Sequence, residues 1–194
     1  MMTLSAAPSV EPSVCPIAVD PENATLVRAA AGGDVRAFEK LVHLHHRRVL
    51  NFVYQMTRQM QDAEDLTQQT FVKAFQHIHR VDAARPIINW LLTIARRTAL
   101  NHFRSARQWE FMPAELPSDD PSPARQLEQQ ERGENLWARA RRVLSRREFE
   151  VLWLRFGEDM STEETARIAG LTKIHVKVLV HRARQHLLKG ETHS

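Results

Sequence analysis

The sequence predicts an all-α protein of two small helical domains joined by a flexible acidic linker, with a helix-turn-helix in the second domain. Apolar residues recur every three or four positions through most of the chain, and no stretch shows the sustained alternation of a strand. A proline-rich, acidic stretch without periodicity separates two regions of helical periodicity. A chain of 194 residues is long enough for two small cores.

The first domain is predicted over residues 22–107, after a leader, 1–21, whose prolines and lack of periodicity predict disorder. Gly32-Gly33 ends a first short helix, and Asp34 is placed to cap a second one. The apolar stripe of that second helix predicts a core-facing side. It comprises Phe38, Leu41, Val42, His45, Val49, Phe52, Val53 and Met56.

Two more helices complete this predicted domain. The third begins near Asp62, and the fourth runs from Pro86, a residue suited to a first helical turn, to about Arg107. The stretch from Arg80 to Pro86 separates them. The stripe of the third helix is Ala63, Leu66, Thr67, Thr70, Phe71, Ala74, Phe75 and Ile78.

The linker is predicted over residues 108–133 and the second domain over 134–194. Residues 110–134 carry seven acidic side chains and two arginines, a local charge of −5. Ser145 and Ser161 each open an S-x-x-E capping box, Gly170 ends the helix that starts at Ser161, and Thr172 caps a last helix.

The composition disfavours catalysis and metal binding. A single cysteine, Cys15, excludes an internal disulfide and a multi-cysteine zinc site. Common nucleotide-binding, nucleophile and metalloprotease motifs are missing, so no enzyme activity, catalytic residue or cofactor is predicted. His43, His45 and His46 lack the i, i+4 spacing of two ligands on one helix, so a buried or half-buried histidine with its hydrogen bonds satisfied is favoured.

The sequence predicts a cytoplasmic protein without membrane insertion. Residues 1–27 hold no lysine or arginine, so the basic start of a signal peptide is missing. The longest strongly apolar stretch, about ten residues from Pro86 to Ala95, is too short to span a bilayer.

Two basic segments point to nucleic acid. The last helix, with the shorter helix and turn before it, has the lengths of a helix-turn-helix, and basic residues concentrate on its second helix. The segment from Pro86 to Trp109 has four arginines and no acid, together with Trp90, Phe103 and Trp109. Arginines with aromatics suit a single strand whose bases stack, although Trp90 is equally compatible with simple core packing.

A third cluster is acidic. Asp62, Glu64 and Asp65 fall within four residues at a helix start, where carboxylates favour the helix dipole. A charged docking surface is the alternative interpretation.

The motifs together resemble the extracytoplasmic-function (ECF) sigma factors of the sigma-70 family. The run Asp62-Ala63-Glu64-Asp65-Leu66 to Phe71 is similar to the family's D-A-E-D-L-x-Q-x-x-F signature, and Asn89 to Arg96 resembles its W-L-x-x-I-A-R segment. Residues 144–156 and 161–188 resemble its C-terminal domain, including the V-K…H-R-A-R run. The resemblance covers about residues 24–189, in order.

This resemblance implies promoter recognition, promoter melting and transcription initiation, with core RNA polymerase, promoter DNA and an anti-sigma factor as partners. It implies polymerase docking by Asp62, Glu64, Asp65 and Gln68. It implies minus-10 contacts by Arg80, Arg85, Asn89, Trp90, Arg96, Arg97, Asn101 and Arg104. It implies minus-35 contacts by Thr172, Lys173, His175, Lys177, Val178, His181, Arg182 and Arg184.

The recognition helix departs from the family pattern at Val178 and Leu179, which cannot donate hydrogen bonds to bases. Either side chain could touch thymine methyl groups or face a protein. Two alternatives therefore stay open: a helix-turn-helix regulator that does not bind core polymerase, and an interaction module that has lost DNA binding.

Overall fold

The computed structural model describes residues 20–109 and 133–189. Within these two ranges the chain forms eight α-helices and no strand, which confirms the predicted all-α class. Most of the predicted leader, with Cys15, and residues 110–132 of the predicted linker lie outside the described residues. The side chains of Arg107 and Trp109 do so as well.

Four helices and a short 3-10 turn form the N-terminal domain. They are α1 (Pro21–Ala31), α2 (Val35–Thr57), α3 (Met60–His77), the 3-10 turn Ile78–Arg80, and α4 (Ile87–Trp109). Pro21, assigned to the leader, is instead the first residue of α1, and α3 begins at Met60.

Local chemistry sets the junction between α1 and α2. The Asp34 carboxylate accepts hydrogen bonds from the backbone N–H groups of Arg36 and Ala37 at 2.9 and 3.2 Å, which confirms the predicted cap. Gly33 has φ +98°, a conformation that side chains with a Cβ rarely adopt. The dipeptide therefore ends one helix and orients the next.

The predicted stripes of α2 and α3 form the core of this domain, with one error. Val49, Phe52 and Val53 have at most 1% of their surface exposed. Phe75 was predicted to be buried, but it is 48% exposed and packs edge-to-face on Phe38, with ring centroids 5.0 Å apart. The helical spacing gives the side of α3 on which Phe75 lies but not what covers it, and the ring lies at the rim of the core.

The C-terminal domain consists of the remaining elements. These are α5 (Gly133–Val143), α6 (Arg146–Leu152), a π-helical turn (Trp153–Gly157), α7 (Thr162–Ala169) and α8 (Lys173–Lys189). Both predicted capping boxes are present, at Ser145 and Ser161. Gly170 ends α7 in the left-handed conformation, with φ +64°.

This domain has a small core of its own. Trp137, Phe149 and Trp153 meet with ring centroids 4.8 to 6.3 Å apart. Ala140 of α5 and Ala183 of α8 are buried in the same cluster. These contacts join α5, α6 and α8 within the C-terminal domain.

The two domains pack against each other, which the sequence did not predict. α4 contacts α7, and α2 contacts α6. One apolar cluster is continuous across the boundary, joining Leu91 and Ala95 of α4 to residues such as Leu154 and Ile168. This packing decides which predicted site residues face solvent.

Candidate polymerase and nucleic-acid interfaces

The predicted docking residues lie at the start of α3. Glu64, Asp65 and Gln68 are exposed. Asp62 is half-buried, and its Oδ2 lies 3.6 Å from Nε2 of His102 in α4. Two of the three carboxylates are therefore free to meet a partner, whereas Asp62 contacts the domain itself.

The structure extends this surface with two apolar residues. Val72 and Phe75 are 57% and 48% exposed. Counted from Asp65, the residues Gln68, Val72 and Phe75 lie at positions i+3, i+7 and i+10. The four side chains therefore share one face of α3. Sequence reasoning missed Val72 as a surface residue, although its place outside the buried stripe was the available signal.

The helix-turn-helix presents α8 with one buried and one exposed side. Val176, Leu179 and Ala183 face the core and are at most 6% exposed. Leu179, which was considered for a DNA or protein contact, is therefore a core residue. Val178 is 41% exposed and stays on the outer side.

All eight residues predicted for minus-35 contacts are exposed. Lys177, Val178, His181 and Arg182 lie together on the side of α8 opposite its buried stripe. The Thr172 hydroxyl accepts a hydrogen bond from the His175 N–H at 3.2 Å, so Thr172 caps the helix as predicted.

Lys173 and Arg184 contact other residues of the C-terminal domain. Lys173 Nζ lies 2.7 Å from the Glu163 carboxylate, and this hydrogen bond and charge lower the pKa of Glu163 below its usual value. The Arg184 guanidinium lies 5.5 Å from the centre of the Phe156 ring. Lys173 therefore links α8 to α7, and Arg184 links α8 to the π-helical turn, while both side chains remain exposed.

The residues predicted for minus-10 contacts divide into two groups. Arg97, Asn101 and Arg104 are exposed and follow one another at i, i+4 and i+7, on one face of α4. Arg80 and Arg85 are exposed in the preceding loop, where Arg85 pairs with Asp82 at 3.2 Å. All five side chains are open to solvent.

The other group faces the C-terminal domain. Asn89 is 6% exposed and donates a hydrogen bond from Nδ2 to Glu164 at 2.8 Å. The Arg96 side chain is 14% exposed and pairs with Glu150. Trp90 is half-buried against the core. The structure thus places Asn89 and Arg96 in a domain contact rather than on the predicted open surface.

The C-terminal domain also covers an aromatic ring of this segment. The Arg146 guanidinium lies 3.6 Å from the centre of the Phe103 ring. Phe103 was considered as a surface on which bases stack. In this arrangement one face of the ring is occupied.

His45 is half-buried in α2, beside Arg48. Its Nε2 is buried and has no hydrogen-bond partner among the described residues, so the expectation of a satisfied histidine is wrong at this atom. Burial in the first place, and the charge of Arg48 in the second, lower the pKa of His45 below 6.5. Across the described ranges, no group of three or more His, Cys, Asp or Glu side chains is arranged to hold a metal ion.

Comparison with known proteins identifies the class. The sigma-70 region 2 family matches residues 41–109, and the sigma-70 region 4 family matches residues 142–189. The chain belongs to the sigma-70 family of RNA polymerase sigma factors, in its ECF group, and functions in promoter recognition, promoter melting and transcription initiation.

Individual relatives agree with this membership. The chain is 31% identical to the RNA polymerase sigma factor NccH of Alcaligenes xylosoxydans xylosoxydans, over 84% of this chain and 90% of that protein. It is 29% identical to the sigma factor YlaC of Bacillus subtilis, over 81% and 94%. The solved structure of CnrH in complex with the cytosolic domain of CnrY is similar, with a TM-score of 0.63 at 26% identity, over 89% of this chain and 99% of CnrH.

No helix in residues 20–109 or 133–189 combines the length and apolar character needed to cross a bilayer.

The His45 environment predicts a pH dependence of stability. Because the folded pKa lies below that of the unfolded chain, the unfolded state binds more protons, and stability rises with pH. The neutral His45 side chain therefore makes its full contribution to the free energy of unfolding above pH 6.5. This contribution is lost as the pH falls from 6.5 towards the pKa of His45 in the folded protein. Thermal unfolding followed by circular dichroism should show a smaller fall in midpoint between pH 7.5 and 5.5 for His45→Gln than for the wild type.

The matched control for this prediction is His43→Gln, on the exposed side of the same helix. It should keep the wild-type pH dependence. An unchanged dependence in His45→Gln would contradict the assignment of this effect to His45.

Proposed function

We propose that the N-terminal domain docks on core polymerase through α3 and handles the opened minus-10 strand with α4, while α8 reads the minus-35 element. The observation that carries this division is the placement of three chemically distinct surfaces on three different helices. The surface of α3 is acidic and apolar, that of α4 is basic, and that of α8 is basic with the exposed aliphatic side chains Ile174 and Val178.

The α3 surface suits a protein partner better than DNA. The carboxylates of Glu64 and Asp65 would repel phosphates, whereas exposed Val72 and Phe75 would be covered by an apolar partner surface. The helix-dipole explanation accounts for acids in the first turn, but it does not account for the apolar residues further along the same face. Docking of this face on core polymerase, as the family resemblance implies, uses both halves of the surface.

The α4 surface suits a nucleic-acid strand. Arg97 and Arg104 neutralise phosphates, and Asn101 between them offers both a donor and an acceptor to a base. The arginines of the preceding loop extend the basic surface towards the start of α4. Since residues 86–109 contain no acid, nothing in this segment offsets its positive potential.

The α8 surface suits the major groove of a duplex. In a helix-turn-helix the second helix enters that groove, and residues near its N-terminus reach the base edges. Lys177 and Arg182 are placed for phosphates or guanine, and the aliphatic Val178 for a thymine methyl. With Leu179 in the core, only one of the two aliphatic departures from the family pattern lies on this face.

The proposal has three further parts. The protein is regulated by an anti-sigma factor, it acts as a binding protein rather than as an enzyme, and it acts in the cytoplasm. The solved CnrH structure contains a bound protein, the cytosolic domain of CnrY, and the family resemblance implies such a partner here. A cytoplasmic location follows from the proposed partners, because core polymerase and the chromosome are found there.

Docking is tested by reversing charge on α3. Glu64→Lys combined with Asp65→Lys should weaken binding to core polymerase at least about tenfold, since attraction becomes repulsion at a contact surface. Transcripts that core enzyme starts on a pool of genomic DNA fragments should disappear with binding. Affinity is measured by fluorescence anisotropy with labelled protein, and transcript 5′ ends by sequencing.

The control reverses an exposed acid outside this face, Glu39→Lys on α2, and should leave core affinity unchanged. Wild-type affinity in the α3 double variant would leave only the helix-dipole explanation. Transcription by wild-type protein with core enzyme separates a sigma factor from the two alternative functions, neither of which starts transcripts.

The role of α8 is tested by salt dependence. Lys177→Ala or Arg182→Ala should weaken binding to duplex promoter DNA and lower the slope of log affinity against log salt by about one unit, if each cation neutralises one phosphate. Arg36→Ala, an exposed arginine of α2, is the control and should keep the slope. An unchanged slope in both α8 variants would remove these residues from the DNA surface.

The role of α4 is tested by strand state. Arg97→Ala combined with Arg104→Ala should leave closed-complex recruitment partly intact and reduce promoter opening, measured as permanganate reactivity of unpaired thymines. A premelted bubble template should restore transcription in this variant, because the template no longer needs to be opened. The α8 variants should gain less from the same template, and equal rescue of both groups would contradict the division of roles.

A further inference from the structure

The outer side of α8 carries two exposed aliphatic side chains. Ile174 is 76% exposed, the highest value among the large apolar side chains of the described residues, and Val178 is 41% exposed. The two residues stand four positions apart, so their side chains lie next to each other on one face of the helix. The helix therefore presents an apolar strip to solvent on the side that faces away from the core.

The packing of the C-terminal domain does not account for this strip. The core-facing side of α8 is formed by Val176, Leu179 and Ala183, which are at most 6% exposed. The exposed pair does not favour the helix through local propensity either, because side chains branched at Cβ lose rotamer freedom there. A single aliphatic residue on a surface is ordinary, whereas two on one helical face indicate a surface that a partner covers.

Ile174 lies in the first turn of α8, the part of a recognition helix that reaches base edges. The helix begins at Lys173, so Ile174 is its second residue. The Thr172 hydroxyl accepts a hydrogen bond from the His175 N–H at 3.2 Å, and Lys173 Nζ lies 2.7 Å from the Glu163 carboxylate of α7. The turn that carries Ile174 is therefore held in place by contacts within the protein.

The charge around the strip favours DNA as the partner. Lys177 follows Ile174 by three positions, and it is exposed beside the strip. Arg182 follows Val178 by four positions and is exposed as well. Residues 165–190 contain no acidic side chain. An apolar strip bordered by cations suits a groove lined by phosphates better than an apolar protein surface, which offers nothing to the cations.

Thymine is the base that matches an aliphatic side chain in the major groove. Its C5-methyl group projects into that groove, and aliphatic side chains can neither donate nor accept the hydrogen bonds that distinguish the other bases. Four residues of an α-helix rise about 6 Å, and two base-pair steps of B-form DNA rise about 6.8 Å. A helix lying along the groove therefore brings the two side chains to thymines one or two steps apart.

We propose that Ile174 and Val178 form a methyl-reading pair, in which each side chain packs on the C5-methyl group of a different thymine in the minus-35 duplex. The inference rests on the proposed minus-35 role of α8. It adds Ile174 to the residues that read DNA, and it names thymine as the base selected at two positions. Lys177 and Arg182 bind phosphates or guanine, whereas the methyl-reading pair discriminates against bases that lack the methyl group.

The test removes single methyl groups from the DNA. The promoter is taken from the transcripts that the protein starts with core enzyme on genomic fragments, and the assembled holoenzyme binds it as a duplex. Each thymine of the minus-35 element, on both strands, is replaced singly by deoxyuridine, which lacks only the C5-methyl group. At two positions the affinity should fall about three- to fourfold, the loss expected for one buried methyl group.

Alanine variants assign each sensitive thymine to a side chain. Ile174→Ala and Val178→Ala should each bind the unmodified promoter more weakly, by about three- to tenfold. Each should lose the deoxyuridine effect at one of the two positions and keep it at the other, because only the removed contact is affected. The control is Leu44→Ala, a residue of α2 that is 58% exposed, and it should keep the wild-type affinity and both deoxyuridine effects. Circular dichroism verifies that all three variants keep their helicity.

Three results would overturn the methyl-reading pair. The first is a minus-35 element in which no thymine is sensitive to deoxyuridine, and the second is a set of deoxyuridine effects that persist unchanged in both alanine variants of α8. The third is weaker binding of these variants to core polymerase without DNA, which would make the strip a protein docking surface. Failure of the proposed function shows separately, as a salt slope unchanged by Lys177→Ala and Arg182→Ala. An absence of transcripts would remove the proposed function and the methyl-reading pair with it.

Discussion

The need to pair buried carboxylates between the two domains is the constraint on which the rest of the structure depends. Glu150, Glu158 and Glu164 are buried, and Arg96, Arg48 and Asn89 of the N-terminal domain pair with them. Charged pairs tolerate less misplacement than apolar contacts, since a lost partner leaves a desolvated charge. Asn89 with Glu164 joins α4 to α7, Arg96 with Glu150 joins α4 to α6, and Arg48 with Glu158 joins α2 to the residue after the π-helical turn. The apolar cluster is continuous across the same boundary.

The same packing explains why some basic surfaces are open and others are not. α4 buries the side that carries Leu91, Leu92 and Ala95 and keeps Arg97 and Arg104 outside. α8 buries Val176, Leu179 and Ala183 and leaves its opposite side to solvent. Each of these two helices has one side packed in the protein and one side open to solvent. Of the two, α4 alone has predicted DNA-binding residues on both sides, with Asn89 and Arg96 in the domain contact and Arg97 and Arg104 in solvent.

Local features were predictable from the sequence because their chemistry acts over a few residues. The caps at Asp34, Ser145 and Ser161 use partners within three positions, and the buried stripes follow from helical periodicity. The pairs of Arg48 with Glu158 and of Arg96 with Glu150 join residues 110 and 54 positions apart, and no spacing rule reveals them. The errors at Phe75 and Leu179 have the same origin, because helical spacing gives a side but not what covers it.

Glu164 shows how closely the reading motif and the domain contact are joined. One of its carboxylate oxygens accepts from the Ser161 N–H at 2.8 Å and so completes the capping box at the start of α7, while the other accepts from Asn89 at 2.8 Å. Opening the domains would free the second oxygen and leave the first in place. The first helix of the helix-turn-helix therefore does not depend on the domain contact for its start, because the Ser161 cap lies within the C-terminal domain, whereas the Asn89 hydrogen bond belongs to the packing of the two domains.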